Sequence, residues 1–358
     1  MTGRPLRVAY TLEQCWHPVP GGSAVAANHV ARRLIAAGDV ELVGVGGRHR
    51  HPPHPAFEPP IGVHQLVIGR PLLYETWNRL GWPRVERATG YVDVCHSTIA
   101  IPAATAAPHV VTVHDVAFVH TPERFTRHGA RVMRAGLERC RRADLVLCPS
   151  QATVDDLVGF GFDSGRLRVV PWGVDPAPVT SADLDRVRTA YDLPDRFVLF
   201  VGTLEPRKNL RRLAQAMNRL DDRMPLVVAG AEGWGEAGAG TLDAQFLGFV
   251  ADADLPALYS LATVFAYPSL QEGFGMPILE AMAYGVPVVT SRGSATDEVA
   301  DGAAVLVDPT NIDSIAAGID AAATDAALWI ELGRARAARS TWDEAAERTV
   351  AAYREVAR

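Results

Sequence analysis

The chain has 358 residues, a net charge of −6, 48% hydrophobic residues and 21% charged residues. This length suits two α/β domains, the composition is that of an ordinary globular protein, and the negative balance argues against bulk nucleic-acid binding. Cys15, Cys95, Cys140 and Cys148 are scattered without a C-x-x-C pair, which fits a reducing compartment rather than a disulfide framework or a zinc site. The apolar stretch behind Arg4 and Arg7 is only a strand long, too short for a signal-peptide core. The uncharged run Leu255–Leu270 is too short for a spanning helix and contains Pro256 and Pro268. A cytoplasmic protein without an integral membrane segment is expected.

In chain order, Leu6–Leu12, Val40–Val45, Val63–Ile68, Val92–Cys95, Val110–His114 and Leu145–Cys148 read as buried strands. Helical patterns fill Ser23–Ala37, Leu72–Ala88, Glu123–Arg141 and Ser150–Val158. The rhythm restarts with Phe197–Val201, Leu226–Ala229, Ala244–Leu247, Val264–Tyr267, Val286–Thr290 and Ala304–Val307. The proline-rich stretch Val170–Pro178 between the two sets reads as a stiff linker. Such alternation predicts an α/β fold with parallel, doubly wound sheets. Two Rossmann-like domains, 1–173 and 174–340, would face each other across a cleft. A terminal helix in 341–358 would pack back towards the N-terminal domain. It starts at Asp343 behind Thr341-Trp342-Asp343-Glu344, a capping-box spacing.

Four stretches carry candidate chemistry. Pro20-Gly21-Gly22-Ser23 lies between the first strand and a helix, where glycines let a ligand approach the backbone and the helix start favours an anion; a plain turn with Ser23 as N-cap explains it equally well. His114, beside Asp115, stands at the end of a strand where α/β sheets bind ligands; a strand-terminal histidine satisfied within the fold is the bland alternative. Thr203-Leu204-Glu205-Pro206-Arg207-Lys208-Asn209 follows the first strand of the second half, and its two adjacent cations suit phosphate oxygens. The segment Glu272-Gly273-Phe274-Gly275-Met276-Pro277-Ile278-Leu279-Glu280 sets two carboxylates eight positions apart. Glu272 falls in a strand-end loop, and Glu280 falls in the helix that Pro277 opens and Gly285 closes. Two carboxylates beside exposed helix-start amides suit a polyhydroxylated ligand that carries phosphate, such as a nucleotide sugar. Asp252-Ala253-Asp254 resembles a metal-binding D-x-D, but it also begins the helix Leu255–Leu261, where carboxylates favour the dipole; the helix-start reading is preferred, and no metal is expected.

With these residues in view, the chain resembles retaining glycosyltransferases of family 4, which have the two-Rossmann GT-B fold, nearly from end to end. The E-x7-E element Glu272…Glu280 is the specific signature, and Glu205-Pro206-Arg207-Lys208-Asn209 is similar to a branch rich in mannosyltransferases that use GDP-mannose. The resemblance implies that Glu272 contacts the donor sugar hydroxyls and Glu280 the nucleotide ribose. It implies that backbone groups around Gly273, Phe274, Gly275 and Met276 hold the sugar and phosphates, that Arg207 and Lys208 bind the diphosphate, that Gly22, beside Gly21, approaches it, and that His114 lies over the sugar. Many members carry Arg after the glycine that opens the phosphate motif; Thr203 stands there, so Arg207 is the expected substitute. The implied reaction moves a sugar, mannose by preference, from a nucleotide diphosphate donor to a hydroxyl of a glycan, lipid-linked or small-molecule acceptor. Configuration is retained by front-face attack, with no metal and no cofactor. Rival readings are a UDP-sugar transferase, a sugar-nucleotide epimerase, a phosphorylase and a non-catalytic nucleotide-sugar binder.

The acceptor leaves a weaker trace. Arg124, Arg127, Arg131, Arg134, Arg139, Arg141 and Arg142 crowd one amphipathic segment. Such a segment can dock at a membrane surface or on a lipid phosphate; an ordinary surface helix with arginine stems over apolar area explains it too. The aromatic stretch Leu72–Trp82 could stack on a sugar, touch lipid or pack in the core.

Overall fold

The structure, a computed structural model, describes residues 4–18, 20–122, 126–230 and 242–357. Two compact units are present: Met1–Trp172 with Trp342–Arg358, and Gly173–Thr341.

The first unit holds β1 (Leu6–Thr11), β2 (Val40–Gly46), β3 (Val63–Gln65), β4 (Val94–Ser97), β5 (His109–Thr112), β6 (Leu145–Cys148) and β7 (Leu167–Val169). They form one sheet in the order β3-β2-β1-β4-β5-β6-β7, and each neighbouring pair is parallel. Val8, Ala9, Val94, Cys95, Val110, Val111, Val146 and Leu147 are buried. Consecutive residues can all be buried only if both faces of the sheet are covered, which is why these strands read as unbroken apolar runs. The helix Trp342–Val356 returns to this unit. There Trp342 stacks on His29 at 4.7 Å, the Tyr353 hydroxyl lies 2.7 Å from His96 Nδ1, and Arg354 pairs with Asp39 at 2.9 Å.

The second unit holds β8 (Val198–Val201), β9 (Leu226–Ala229), β10 (Gln245–Gly248), β11 (Val264–Tyr267), β12 (Val288–Ser291) and β13 (Val305–Val307). The order is β10-β9-β8-β11-β12-β13, again all parallel. In each sheet the chain progresses outward in both directions from one point, between β1 and β4 and between β8 and β11. Loops leaving the carboxyl ends of those two strands diverge and leave a crevice, the usual ligand position in such sheets.

Several local expectations need correction. The helix expected over Leu72–Ala88 is two, Leu72–Leu80 and Glu86–Thr89, because Gly81 takes a left-handed φ of +60° and ends the first. Ser23 is not an N-cap. The helix already starts at Gly21, and the Ser23 hydroxyl donates to the Pro20 carbonyl. Val170 is not linker: it is buried, and its amide bonds to Cys148 behind β7. The helix expected over Glu123–Arg141 is Arg127–Cys140, capped by the Thr126 side chain; Glu123, Arg124 and Phe125 lie outside the described residues. Beyond the predicted elements the structure adds β7 and the helices Ser181–Ala190, Ala295–Ala300, Ile312–Thr324 and Ala326–Ala338. The last has no apolar stripe to betray it, since only Gly333 and Ala337 are buried.

Candidate active site

The loops after β8 and β11, the strands that flank the second crevice, bring Thr203, Arg207, Lys208 and Glu272 together. After β8 the chain makes a short 3-10 turn, Pro206–Lys208, and Asn209 ends it with a left-handed φ of +62°. The Asn209 side-chain amide then donates to the Pro268 and Pro309 carbonyls at 2.9 and 2.7 Å. The Leu270 amide closes on the Arg207 carbonyl at 2.8 Å. These bonds hold the two loops in register.

Glu272 Oε2 lies 2.6 Å from Arg207 Nη1, and Oε1 lies 2.8 Å from Lys208 Nζ. Lys208 also donates to the Tyr267 hydroxyl. The Glu272 side chain is 7% exposed and that of Lys208 is 9% exposed. Burial alone would raise the Glu272 pKa, but the Arg207 and Lys208 charges overrule it and hold the carboxyl down to about 2. Burial outweighs Glu272 at Lys208 and lowers its pKa, with Arg207 adding repulsion. The two partners pull in opposite senses. The short contacts of Glu272 with both cations support the ionised carboxylate as the firm feature. Glu205 completes the cluster. One of its oxygens accepts from the Thr203 hydroxyl at 2.7 Å and the other from Arg207 Nε at 2.7 Å. The Thr203 hydroxyl thus helps to hold Glu205 against the Arg207 guanidinium. Two cations face two carboxylates.

Lys208 is the only lysine among the chain's 35 lysines and arginines. Every other cation is Arg, yet the one buried beside Glu272 is the compact ammonium. A planar guanidinium needs more space and a fixed fork of donors. The composition carried this signal.

Glu280 sits in the helix Met276–Ala283, whose N-cap is Gly275 at φ +108°. A Cβ there would stand 3.0 Å from Thr296 Cγ2, so both conformation and space call for glycine. Gly273 and Phe274 are buried, and Met276 is partly exposed. Glu280 Oε2 accepts from the Tyr259 hydroxyl at 2.7 Å. Desolvation raises the Glu280 pKa, the opposite of Glu272, because a tyrosine rather than a cation faces it. Tyr259 stacks on Tyr284 at 6.0 Å. Tyr259 and Tyr267 belong to the site, though both read as core from the sequence.

In the first unit His114 follows β5 and lines a small pocket of about 30 Å³ with Tyr10, His96, Thr98, Thr112 and Trp172. Ala26, Ala27 and Val30, from the helix that Gly21 and Gly22 open, form another wall. Gly21 has a φ of +63°, and a Cβ there would meet nothing within 4 Å. His114 Nε2 lies 2.8 Å from the Thr98 carbonyl, and its buried Nδ1 has no hydrogen-bond partner among the described residues. Burial lowers its pKa, so the ring is neutral, donating from Nε2 and leaving Nδ1 as an acceptor. His96 is held on both sides, by Tyr353 and by Thr112 Oγ1 at 2.7 Å each.

Asp254 precedes the helix Leu255–Leu261 without a side-chain cap bond. Its carboxylate instead takes Arg186 at 2.5 Å and the Tyr191 hydroxyl at 2.8 Å. The D-x-D acid at this position is therefore committed to structure, by ion pairing rather than by the expected capping.

A family model for glycosyltransferase family 4 matches residues 20–178, and one for glycosyl transferases group 1 matches 182–339. The chain is 35% identical to O-antigen chain mannosyltransferase B of Escherichia coli, over 68% of this chain and 70% of that protein. It is 28% identical to the serotype-specific mannosyltransferase WbdA of Escherichia coli, over 72% of this chain, and spans about a third (34%) of that protein's length. Among solved structures, Anabaena HepE in complex with UDP and glucose superposes with a TM-score of 0.73 at 19% identity, covering 97% of this chain and 98% of that one. Its likeness is one of fold. The two parallel sheets, the paired family matches and the mannosyltransferase relatives agree: the chain belongs to glycosyltransferase family 4 and is a glycosyltransferase of the GT-B fold.

Proposed function

We propose that this glycosyltransferase takes mannose from GDP-mannose and joins it, with retention of configuration, to a hydroxyl of a glycan or lipid-linked acceptor. The observation that carries the reading is the buried Glu272 between Arg207 and Lys208 at the second crevice. The mannosyltransferase relatives supply the sugar. Arg207 and Lys208 neutralise the departing diphosphate, the charge that grows as the glycosidic bond breaks. Phosphate oxygens replace Glu205 as a partner of Arg207, whose guanidinium fork suits them. Glu272, kept ionised, accepts from sugar hydroxyls and positions the donor. Glu280 and the Tyr259 hydroxyl receive the ribose. Gly273, Phe274, Gly275 and Met276 bring backbone close to the sugar and phosphates, and Gly22 stands in the first turn of the helix that Gly21 opens. His114 Nδ1 offers a neutral acceptor to a sugar hydroxyl.

Transfer needs no divalent metal in this reading, because the cations that stabilise the leaving group are side chains. Activity that collapses with EDTA and returns with Mg²⁺ or Mn²⁺ would refute this part. A UDP sugar is the second reading, prompted by the UDP complex of HepE. A thermal-shift panel of GDP, UDP and ADP sugars tests the donor, since a ligand of the folded state raises the melting temperature by mass action. A rise with GDP-mannose that Glu280→Ala abolishes is the expected result; a rise with a UDP sugar alone overturns the donor.

A further inference from the structure

The helices Leu72–Leu80 and Arg127–Cys140 lie side by side in the first unit. Three contacts fix them as parallel neighbours. Glu75 pairs with Arg131 at 2.8 Å, the Asn78 amide donates to the Val132 carbonyl at 3.0 Å, and a Cβ on Gly81 would stand 3.2 Å from Arg139 Nη2. The second helix buries Ala130, Val132, Gly136 and Leu137. It exposes Arg127, His128, Arg131, Arg134, Ala135 and Glu138, with Arg141 and Arg142 just beyond. These exposed positions recur at helical spacing and form one stripe. The first helix and the segment that follows it add what a solvated basic stripe does not need. Leu80 is 74% exposed, Leu72 56% and Trp82 38%, and the Arg87 guanidinium lies over the Trp82 ring.

The carboxylates are too few to neutralise this face. Glu75 is shared by Arg79 and Arg131, and Glu138 serves Arg141. Arg127, Arg134 and Arg142 have no carboxylate partner among the described residues. The chain as a whole has a net charge of −6, so the cationic face runs against the molecule's own balance. A second copy is a poor occupant, because face-to-face pairing would oppose arginine with arginine.

We propose that this paired-helix face docks on an anionic lipid bilayer. The arginines meet head-group phosphates, and Leu72, Leu80 and Trp82 enter the interfacial layer, where Trp is favoured. Long arginine stems let the charge stay at head-group level while the apolar groups descend. Docking requires no sugar nucleotide, so it stands or falls apart from the transfer reaction.

The test is co-sedimentation of the full-length protein with vesicles of phosphatidylglycerol and phosphatidylcholine, beside vesicles of phosphatidylcholine alone. Binding to the anionic vesicles only, weakened by salt as exposed charges are screened, is expected. Each arginine near such a surface is worth about a fivefold change in partition. Arg127→Glu with Arg134→Glu should therefore weaken binding at least tenfold. Leu72→Ser with Leu80→Ser should weaken it severalfold at unchanged charge. All four positions are exposed, and unchanged melting temperatures verify folding. No binding to anionic vesicles at low salt, or variants that bind like the parent, overturns the proposal. Light scattering that finds a dimer dispersed by Leu80→Ser, without vesicle binding, overturns it in favour of an interface between copies.

Discussion

The two units solve opposite problems with opposite side chains. The second unit concentrates charge: Arg207, Lys208, Glu205 and Glu272 form one interlocked cluster, which includes the only lysine of the chain. The first unit contains all 11 histidines, between His17 and His128, and around His114 it is lined by neutral hydroxyls, imidazoles and aromatics. A cluster in which two cations can exchange a carboxylate partner for phosphate oxygens suits an anion whose charge grows during reaction. A neutral, hydrogen-bonding pocket suits hydroxyl groups. The lesson is that chemistry is divided by unit even though both sheets have the same parallel design.

That comparison breaks most sharply at Glu272. Glu272→Ala leaves two buried cations opposed by only Glu205, and removal of one partner from a buried pair costs about 3–5 kcal/mol. Calorimetry should find the second unit destabilised by an amount of that order and the first unit unaffected. A loss below about 1 kcal/mol would show that the cluster is far better solvated than its burial implies. Next in size, Lys208→Ala should lower transfer by about 10²–10³-fold, in line with loss of one transition-state donor. Lys208→Arg should not restore it, and near-parental activity of Lys208→Arg would reduce the lysine to a generic cation.

Acid should separate the units. Burial depresses the pKa of His17 and His96 to about 3 and that of His109 to about 4, so these rings stay neutral in the fold while the unfolded chain takes up protons below about 6.5. The unfolded state then binds more protons, and stability falls as pH drops from about 6.5 towards those values, by up to roughly 1.4 kcal/mol per pH unit for each ring. Glu272 has a depressed carboxyl pKa, so its contribution is complete above about 4.5 and is lost only as pH falls towards about 2. Melting at pH 5 should therefore split into an early transition from the first unit and a later one from the second. A single transition, or an early second unit, would contradict the division. The smallest effect is expected at Glu280. Its raised pKa means that the carboxylate protonates on acidification before an ordinary glutamate does. Nucleotide affinity should weaken at a higher pH than a normal carboxylate would set, and Glu280→Gln should flatten that profile.

Strand identity was legible because parallel strands covered on both faces are unbroken apolar runs, and Leu145–Cys148, Leu226–Ala229 and Val264–Tyr267 have the predicted limits. Arg207, Lys208 and Glu272 were each legible as candidates from their strand-end positions, but the ion pairs that join them were not. Less legible was anything that needs a long-range partner. Glu205 reads as an acidic loop residue until its bonds to Thr203 and Arg207 are seen. Tyr259 and Tyr267 read as core because their rings are buried and only their hydroxyls face the site. The break at Gly81 was hidden because the apolar pattern continues across it, and a single glycine does not always end a helix.

The most direct test of the charged cluster as the diphosphate site uses the solitary lysine. Protein labelled with ¹³C-lysine gives an NMR spectrum in which the one lysine side chain is Lys208. Titration with GDP should move that signal, guanosine should leave it in place, and Arg207→Ala should weaken the GDP response. If calorimetry detects GDP binding while the Lys208 signal stays unmoved, the diphosphate lies elsewhere and the account is wrong.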